Sequence, residues 1–576
     1  MAERGVDHAI VVKGVRVDAT KVTAELLADP LVREAAVTAV DGRLVAYAAP
    51  ERSADVSEAR AAAVDSWRAV FDETYGSIGD DLTPAAATTG WNDSFTGKPI
   101  APAQMAEWVD TTVARIAALA PKRVLEIGAG TGLLVRPLVS SGTIDTYVAT
   151  DFSASAITVL DQLADELRHA GATTKLVVAE ADAVDATRVA DGEYDVVVLN
   201  SVVQYFPSLH YLTEALDAAL AVVRPGGHVV LGDLRNEAVA DAFFALKHEL
   251  RSEADDVREA IRHDRNHDGE LSVDPAWLAA APARAPRVTR VEIAPRRGES
   301  TTEMPLFRYD AVLHVDCADT PERVVPEPGA DLQLSALERR LLAGSEPFGY
   351  RAVRNGRLDE ALAARDRHGF TPAGRAAGTG PGVDPEVLWR LAERHGWLAR
   401  VSWADGDPDG AFDVTLLPPA LAAATHFRFA DPVSAEPVVA EVYPPGVAAV
   451  FTDRVRGGLA QRLPAVLVPV DVVWVTDLPR SGGVVDVTAL PRPRADATAV
   501  RAESENAEAS ALDVIREVFA KRLGKPCGPD DNFFALGGES FTAAMCVRDL
   551  RQRGVTLSIR DLFEHRTPRV LAEHLS

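Results

Sequence analysis

Two glycine-bearing stretches of this chain have residue types suited to chemistry. The first is Val124-Leu125-Glu126-Ile127-Gly128-Ala129-Gly130-Thr131-Gly132, an apolar run that breaks into glycines. It predicts a strand, a tight turn and then a helix, with bare backbone against which a ligand can lie. Asp151, in Thr150-Asp151-Phe152-Ser153, follows one predicted strand later, where a carboxylate can bridge ribose hydroxyls. Glu180-Ala181-Asp182-Ala183 ends the next strand, and Val196-Val197-Val198-Leu199-Asn200 is a fourth apolar run. The second stretch is Asp531-Asn532-Phe533-Phe534-Ala535-Leu536-Gly537-Gly538-Glu539-Ser540. Its glycines allow a tight turn and close approach by another protein, and Ser540 stands where a helix could begin.

The elements that must position these residues can be read around them. From about 120 to 235 apolar strands alternate with helices, the sign of a layered α/β domain. Near Ser540, Leu512, Ile515, Val518 and Phe519 recur at helical spacing. Leu557, Leu562, Phe563, Val570 and Leu571 supply further apolar positions for a small helical bundle.

The order of motifs in 120–235 resembles class I S-adenosylmethionine (SAM)-dependent methyltransferases. A glycine loop alone suits a nicotinamide dehydrogenase as well. Glu126 and the turn Arg224-Pro225-Gly226-Gly227 before His228-Val229-Val230-Leu231 favour the methyltransferase. The resemblance implies donor contacts from Glu126, Gly128, Ala129, Gly130, Gly132, Asp151, Phe152, Asp182, Ala183 and Asn200. Gly90–Gly97, Asn200–Ser208 and Phe307–His314 narrow it to methyltransferase domains embedded in nonribosomal peptide synthetases. The Ser540 loop resembles that of a peptidyl carrier protein, whose serine bears 4′-phosphopantetheine; a helix N-terminus suits the arm's phosphate. Lys13-Gly14-Val15-Arg16-Val17-Asp18, with Asp7 at a hinge, resembles the opening of an adenylation C-terminal subdomain. Arg462–Pro469 and Leu478-Pro479 resemble its close. The large adenylation core is absent from this sequence, and Val484 stands where the family has an adenylate-contacting lysine, so no adenylation activity is expected.

The expected fold is multidomain α/β. A Rossmann-like methyltransferase is inserted in a small α+β adenylation subdomain, and a four-helix carrier follows. The segments are 1–50 and 446–491 for the split subdomain, 51–315 for the methyltransferase, 316–445 for an α+β extension, 492–508 for a linker and 509–576 for the carrier. Ala19–Ala28 reads as a helix, Val11–Val17, Ala35–Val40 and Leu44–Ala48 as strands, and 446–491 as containing another strand-rich piece.

Composition bounds the partners. The 576 residues carry a formal net charge of −25, which argues against nucleic acid or an anionic membrane. Three widely spaced cysteines form no metal or disulfide pattern, and no apolar run is long enough to span a bilayer, so a cytoplasmic setting is expected. Asp264–Glu270 looks like half of a calcium loop, but its twelfth position is Pro275 rather than a bidentate glutamate, so no metal is expected. Expected partners are a phosphopantetheinyl transferase and other synthetase domains, or an adenylation enzyme acting in trans. An MbtH-like protein is a candidate.

The donor sulfonium is already electrophilic, so the protein's task is alignment with a neutral nucleophile. Domains at this insertion point methylate the α-amine of a carrier-bound aminoacyl group. The resemblance makes Asn200, Gln204 and Tyr205 candidates for the acceptor pocket, and Glu303 and Arg308 candidates to orient or deprotonate the amine. Tyr205 reads equally as core packing and Arg308 equally as a structural ion pair. C-, O- or S-methylation of the cargo and a non-catalytic carrier scaffold are the alternatives.

Overall fold

A computed structural model describes residues 9–50, 91–429, 443–490 and 510–575 apart from short gaps, together with scattered positions in 64–88. Asp7, Lys13, Gly14, residues 491–509 and Ser540 lie outside the described residues.

Seven strands form the central sheet: β1 Arg123–Ile127, β2 Thr146–Asp151, β3 Lys175–Glu180, β4 Tyr194–Asn200, β5 Val223–Arg235, β6 Val288–Pro295 and β7 Arg308–Val315. Their order is β6-β7-β5-β4-β1-β2-β3. Strands β1 to β5 are parallel, and β7 runs antiparallel to β5 and β6. The chain steps outward from β1 to β3 and then restarts at β4, so a crevice opens above the β1–β4 boundary. The strands read as unbroken apolar runs because helices cover both faces. Helix Ala154–His169 buries Leu160, Leu163 and Leu167 and starts at Ser153, whose hydroxyl accepts the Ala156 N–H. Helix Leu209–Val222 buries Leu212, Leu216 and Ala219.

The extension is a second sheet, ordered Pro326–Pro328, Phe348–Val353, Phe412–Leu417, Leu398–Ser402. It shares one core with the methyltransferase sheet, in which Phe244 and Leu278 join Phe348 and Val414. The Trp403 N–H donates to the Ile293 carbonyl of β6 at 3.0 Å.

The segments on either side of this body pack together. Val32–Val40 pairs antiparallel with Arg43–Pro50, which pairs parallel with Asp471–Trp474. Val17, Leu26 and Leu44 share a core with Phe451, Val455, Leu459 and Trp474. One expectation is corrected here. Val11–Val17 is not one strand: Ala9–Val12 and Val15–Asp18 form a hairpin. Residues 446–491 hold the expected strands, Asp471–Trp474, Arg480–Ser481 and Val484–Val485, and before them the long helix Pro445–Arg462, in which Phe451, Val455 and Leu459 recur every four residues and bury one stripe.

In the carrier region, helices Ala511–Leu523 and Pro568–His574 close over Ile515, Phe519, Phe533, Leu562 and Leu571. Ala543, Cys546 and Leu550 are helical and buried. Among the described residues no helix is long and apolar enough to cross a membrane.

Candidate active site

The glycine turn after β1 is held from beneath. The Gly128 and Ala129 N–H groups both donate to the Thr150 carbonyl at 2.8 Å. Gly128 has φ +76° and Gly130 φ +54°, where side chains are strained. A Cβ on Gly128 would lie 2.4 Å from Val202, and one on Gly130 3.1 Å from the Tyr75 hydroxyl. Asp151, at the end of β2, accepts the Gly130 and Ser153 N–H groups at 2.9 Å, which fixes its carboxylate beside the turn. Burial raises its pKa to about 6 against those backbone hydrogen bonds. Glu126 is buried behind the turn, accepts the Tyr147 hydroxyl at 2.7 Å and is raised to about 7 by burial.

A helical stretch carrying Val64, Trp67, Arg68, Phe71 and Tyr75 lies across this end. Arg68 donates to the Phe152 carbonyl at 3.1 Å and to Asp182 at 2.8 Å. Asp72 accepts the Ser153 hydroxyl at 2.6 Å.

The opposite end is ionic. Arg308, first in β7, donates to Asp233 at 2.8 Å and to Glu303 at 3.3 Å. Glu303 also accepts the Ser94 N–H and hydroxyl, both at 2.8 Å. Asp233 sits at φ +61° where β5 bulges against β7, and accepts the Ser201 hydroxyl at 2.5 Å. Burial pushes the Glu303 carboxyl up from its ordinary value, and Arg308 and Ser94 only partly offset this. For Asp233 burial is outweighed by Arg308 and Arg296, and its pKa is lowered. Arg308 is itself held charged: burial is overcome by Asp233, Glu303 and Glu270.

One cavity of about 1200 Å³ joins the two ends. Gly128, Asp151, Phe152 and Ala183 line one end, and Ser201, Gln204, Glu303 and Arg308 the other. Trp67, Phe71 and Tyr205 form an aromatic wall, with Tyr205 4.5 Å from Trp67 and 4.9 Å from Phe71 between ring centres. Asn532, Phe534, Gly538 and Arg566 of the carrier region complete the lining. Trp67 also packs into the carrier's apolar cluster.

The structure thus gathers most of the residues singled out in the sequence. Ala129, Gly130, Gly132 and Asn200 belong to the framework around the cavity; Glu126 faces Tyr147, and Asp182 faces Arg68. Gln204, which lines the cavity, has its Oε1 buried without a hydrogen-bond partner, an acceptor that a ligand's donors can satisfy; Asn200 Oδ1 is also unpartnered but packs against Gly232 of β5, outside the lining. With the carboxylate of Asp151, this set fits a cationic nucleoside donor. Sequence reasoning missed Ser94, Ser201, Asp233 and the Trp67–Tyr75 wall; the only signal was that Ser94 and Ser201 lie inside motifs already noted. Of the half-calcium loop, Asp268 and Glu270 bind Arg235 at 2.7 and 3.1 Å. His228, His314 and Cys317 approach one another, but His314 already meets Arg290.

Comparison with known proteins follows the same division. A methyltransferase-domain model matches residues 101–271 and a phosphopantetheine-attachment-site model residues 513–575. Fold and site define a SAM-dependent methyltransferase followed by a phosphopantetheine carrier. Along 99% of its length the chain is 33% identical to chondramide synthase of Chondromyces crocatus. It is 32% identical, again over 99%, to a probable non-canonical nonribosomal peptide synthetase of Salinispora arenicola. The chain is therefore a nonribosomal peptide synthetase segment that contains a methyltransferase domain and a carrier domain. It spans only 15% and 7% of the length of those two relatives. Among solved structures, an N-methyltransferase, NodS, from Bradyrhizobium japonicum is 17% identical, with a TM-score of 0.27 over 42% of this chain and 98% of that one.

Proposed function

We propose that this segment methylates the α-amine of an aminoacyl or peptidyl thioester carried on its own Ser540 arm. The observation that carries the reading is the continuous cavity. It is lined by the glycine turn, by Glu303 and Arg308, and by carrier residues Asn532, Phe534 and Gly538, which belong in sequence to the Ser540 loop. When bound, SAM supplies an electrophilic methyl on a sulfonium. Gly128, Asp151, Phe152 and Ala183 hold the donor, while Gln204 offers a free acceptor in the same cavity.

An α-amine has a pKa near 8, about 7.7–8.0, so a modest acceptor suffices to keep a useful fraction neutral. Glu303 is that acceptor. Its raised pKa makes it a better base than a surface carboxylate, and Arg308 and Ser94 fix its direction. Arg308, locked between Asp233 and Glu303, orients the thioester side of the cargo. The Trp67, Phe71 and Tyr205 wall excludes water and guides the arm.

The segments 1–50 and 446–491, packed as one unit, act as the split adenylation subdomain. With Val484 at the lysine position they serve as a platform without adenylation activity, and their surface is the candidate seat of an MbtH-like protein. Loading falls to another synthetase domain or to an enzyme acting in trans, after a phosphopantetheinyl transferase installs the arm.

The test is intact-protein mass spectrometry. The holo chain is charged with a set of aminoacyl groups and incubated with SAM. A gain of one methylene mass on the arm, with fragmentation placing it on nitrogen, is the expected result. Placement on carbon, oxygen or sulfur overturns the choice of atom. Donor binding without any gain overturns the acceptor class.

A further inference from the structure

Residues 348–417 retrace the second half of the methyltransferase sheet. In the first copy, β5 carries Asp233 at φ +61°, and the Asn236 side chain accepts the Ala238 N–H at 2.9 Å. Asn236 then bridges in parallel to Val273, Asp274 caps Pro275–Ala279, and β6 and β7 follow. In the extension, strand Phe348–Val353 carries Ala352 at φ +56°, and Asn355 accepts the Arg357 N–H at 3.1 Å. Asn355 bridges in parallel to Val383, Asp384 caps Pro385–Arg394, and strands Leu398–Ser402 and Phe412–Leu417 follow. In both, the last strand lies antiparallel between the other two. In both, a carboxylate early in that strand accepts the N–H of the left-handed residue: Asp310 from Asp233 at 2.8 Å, and Asp413 from Ala352 at 2.9 Å. The chemistry differs. Ala352 replaces Asp233, and Ala411, two residues before Asp413, replaces Arg308.

We infer that the extension is a duplicate of this half-domain, stripped of its reactive side chains and retained as a brace for Glu303, with Arg357 as the positioning residue. Arg357 is buried. Its Nη1 donates to the carbonyls of Arg296 at 2.7 Å and Pro305 at 3.2 Å, its Nη2 to that of Gly298 at 2.7 Å, and its Nε to Asp384 at 2.7 Å. Pro305 belongs to the short helix Glu303–Phe307, so one guanidinium ties both ends of the 296–305 segment. Glu386 reinforces its first end, accepting the Gly298 N–H at 3.1 Å and Arg297 at 2.7 Å. Arg357 and Glu386 each sit two residues after a cap of the duplicate, so the duplicate's own turns aim them. A planar fork with several donors suits this work, and a lysine cannot reproduce it.

The inference rests on the reading of Glu303 as the acceptor-side base. It is tested with R357A, R357K, E303Q and the double variant R357A/E303Q, in the full holo chain loaded with one aminoacyl group. Melting curves identify variants that fail to fold, and R357K keeps the charge if R357A does so. The expected result is a roughly 10- to 100-fold lower kcat for R357A, the scale of a small misplacement near the reacting atoms. Donor Kd stays unchanged, the acid limb of the pH–rate profile moves in R357K, and R357A costs less than about two-fold further on E303Q. Additive losses, or a lower rate with an unmoved acid limb, overturn the positioning role. An E303Q chain as active as the parent instead overturns the reading of Glu303, and the brace's purpose with it.

Discussion

Glu303 and Asp151 carry carboxylates whose pKa values are raised by burial, with consequences of the same sign. Glu303 must be ionised to accept a proton, so kcat should rise with pH through a limb above the ordinary carboxylate range. Replacing it by glutamine should lower kcat about 100-fold and flatten that limb, as expected for loss of a general base. Asp151 must be ionised to accept hydroxyl hydrogen bonds well. Donor affinity should therefore be intact above its folded pKa of about 6 and weaken as pH falls through it. Asp151→Asn should weaken donor binding about 10-fold, or ~1.4 kcal/mol, near the lower range for a hydrogen bond to a charged group. Calorimetric titration against pH checks both statements; a flat affinity from pH 5 to 8 would remove Asp151 from the donor site. These two residues could be singled out because Asp151 lies in a short run, Thr150–Ser153, and Glu303 stands just before another, Phe307–His314. Asp233 and Ser94 were not. Asp233 reaches the cavity's ionic end only through a left-handed bulge and a partner, Arg308, far along the chain.

At the scale of elements, the glycine turn is the part most constrained by its backbone. Gly128 combines φ +76° with a Cβ position 2.4 Å from Val202. Gly128→Ala should cost roughly 1–3 kcal/mol for the backbone strain, with Val202 displaced in addition. A lower melting temperature together with lost donor binding is the expected outcome; normal binding in the variant would mean that the turn relaxes freely. The parallel strands and the turn could be read from the sequence because each is a local pattern. The helix Pro445–Arg462 was obscured by valine and glycine, and its stripe of Phe451, Val455 and Leu459 decided the matter through packing. The duplicated half-domain was hidden for another reason. Its landmarks are single capping residues, Asn355 and Asp384, and a left-handed Ala352, none of which forms a contiguous motif.

At the scale of the molecule, the body from β1 to the extension lies in the chain between two segments that fold together. Among the described residues its two apolar cores include none from the first 50 or from 443–475, whereas the end unit's core draws on both. Insertions are tolerated where the host's ends already lie close. The end unit meets the body where helix Pro445–Arg462 lies beside helix Val257–His267, so removal of residues 1–50 should act first on the end unit. Phe451, Leu459 and Trp474 would lose Val17, Leu26 and Leu44 as neighbours, and strand Asp471–Trp474 would lose its only pairing among the described residues. Each apolar side chain returned to water costs about 1.5–3 kcal/mol, more in sum than a small unit can lose and stay folded. Limited proteolysis should cut the truncated chain first within 445–475, while calorimetry returns an unchanged donor affinity. Loss of donor binding on truncation would show instead that the end unit props the Trp67–Tyr75 wall, so that the methyltransferase is not an autonomous insert.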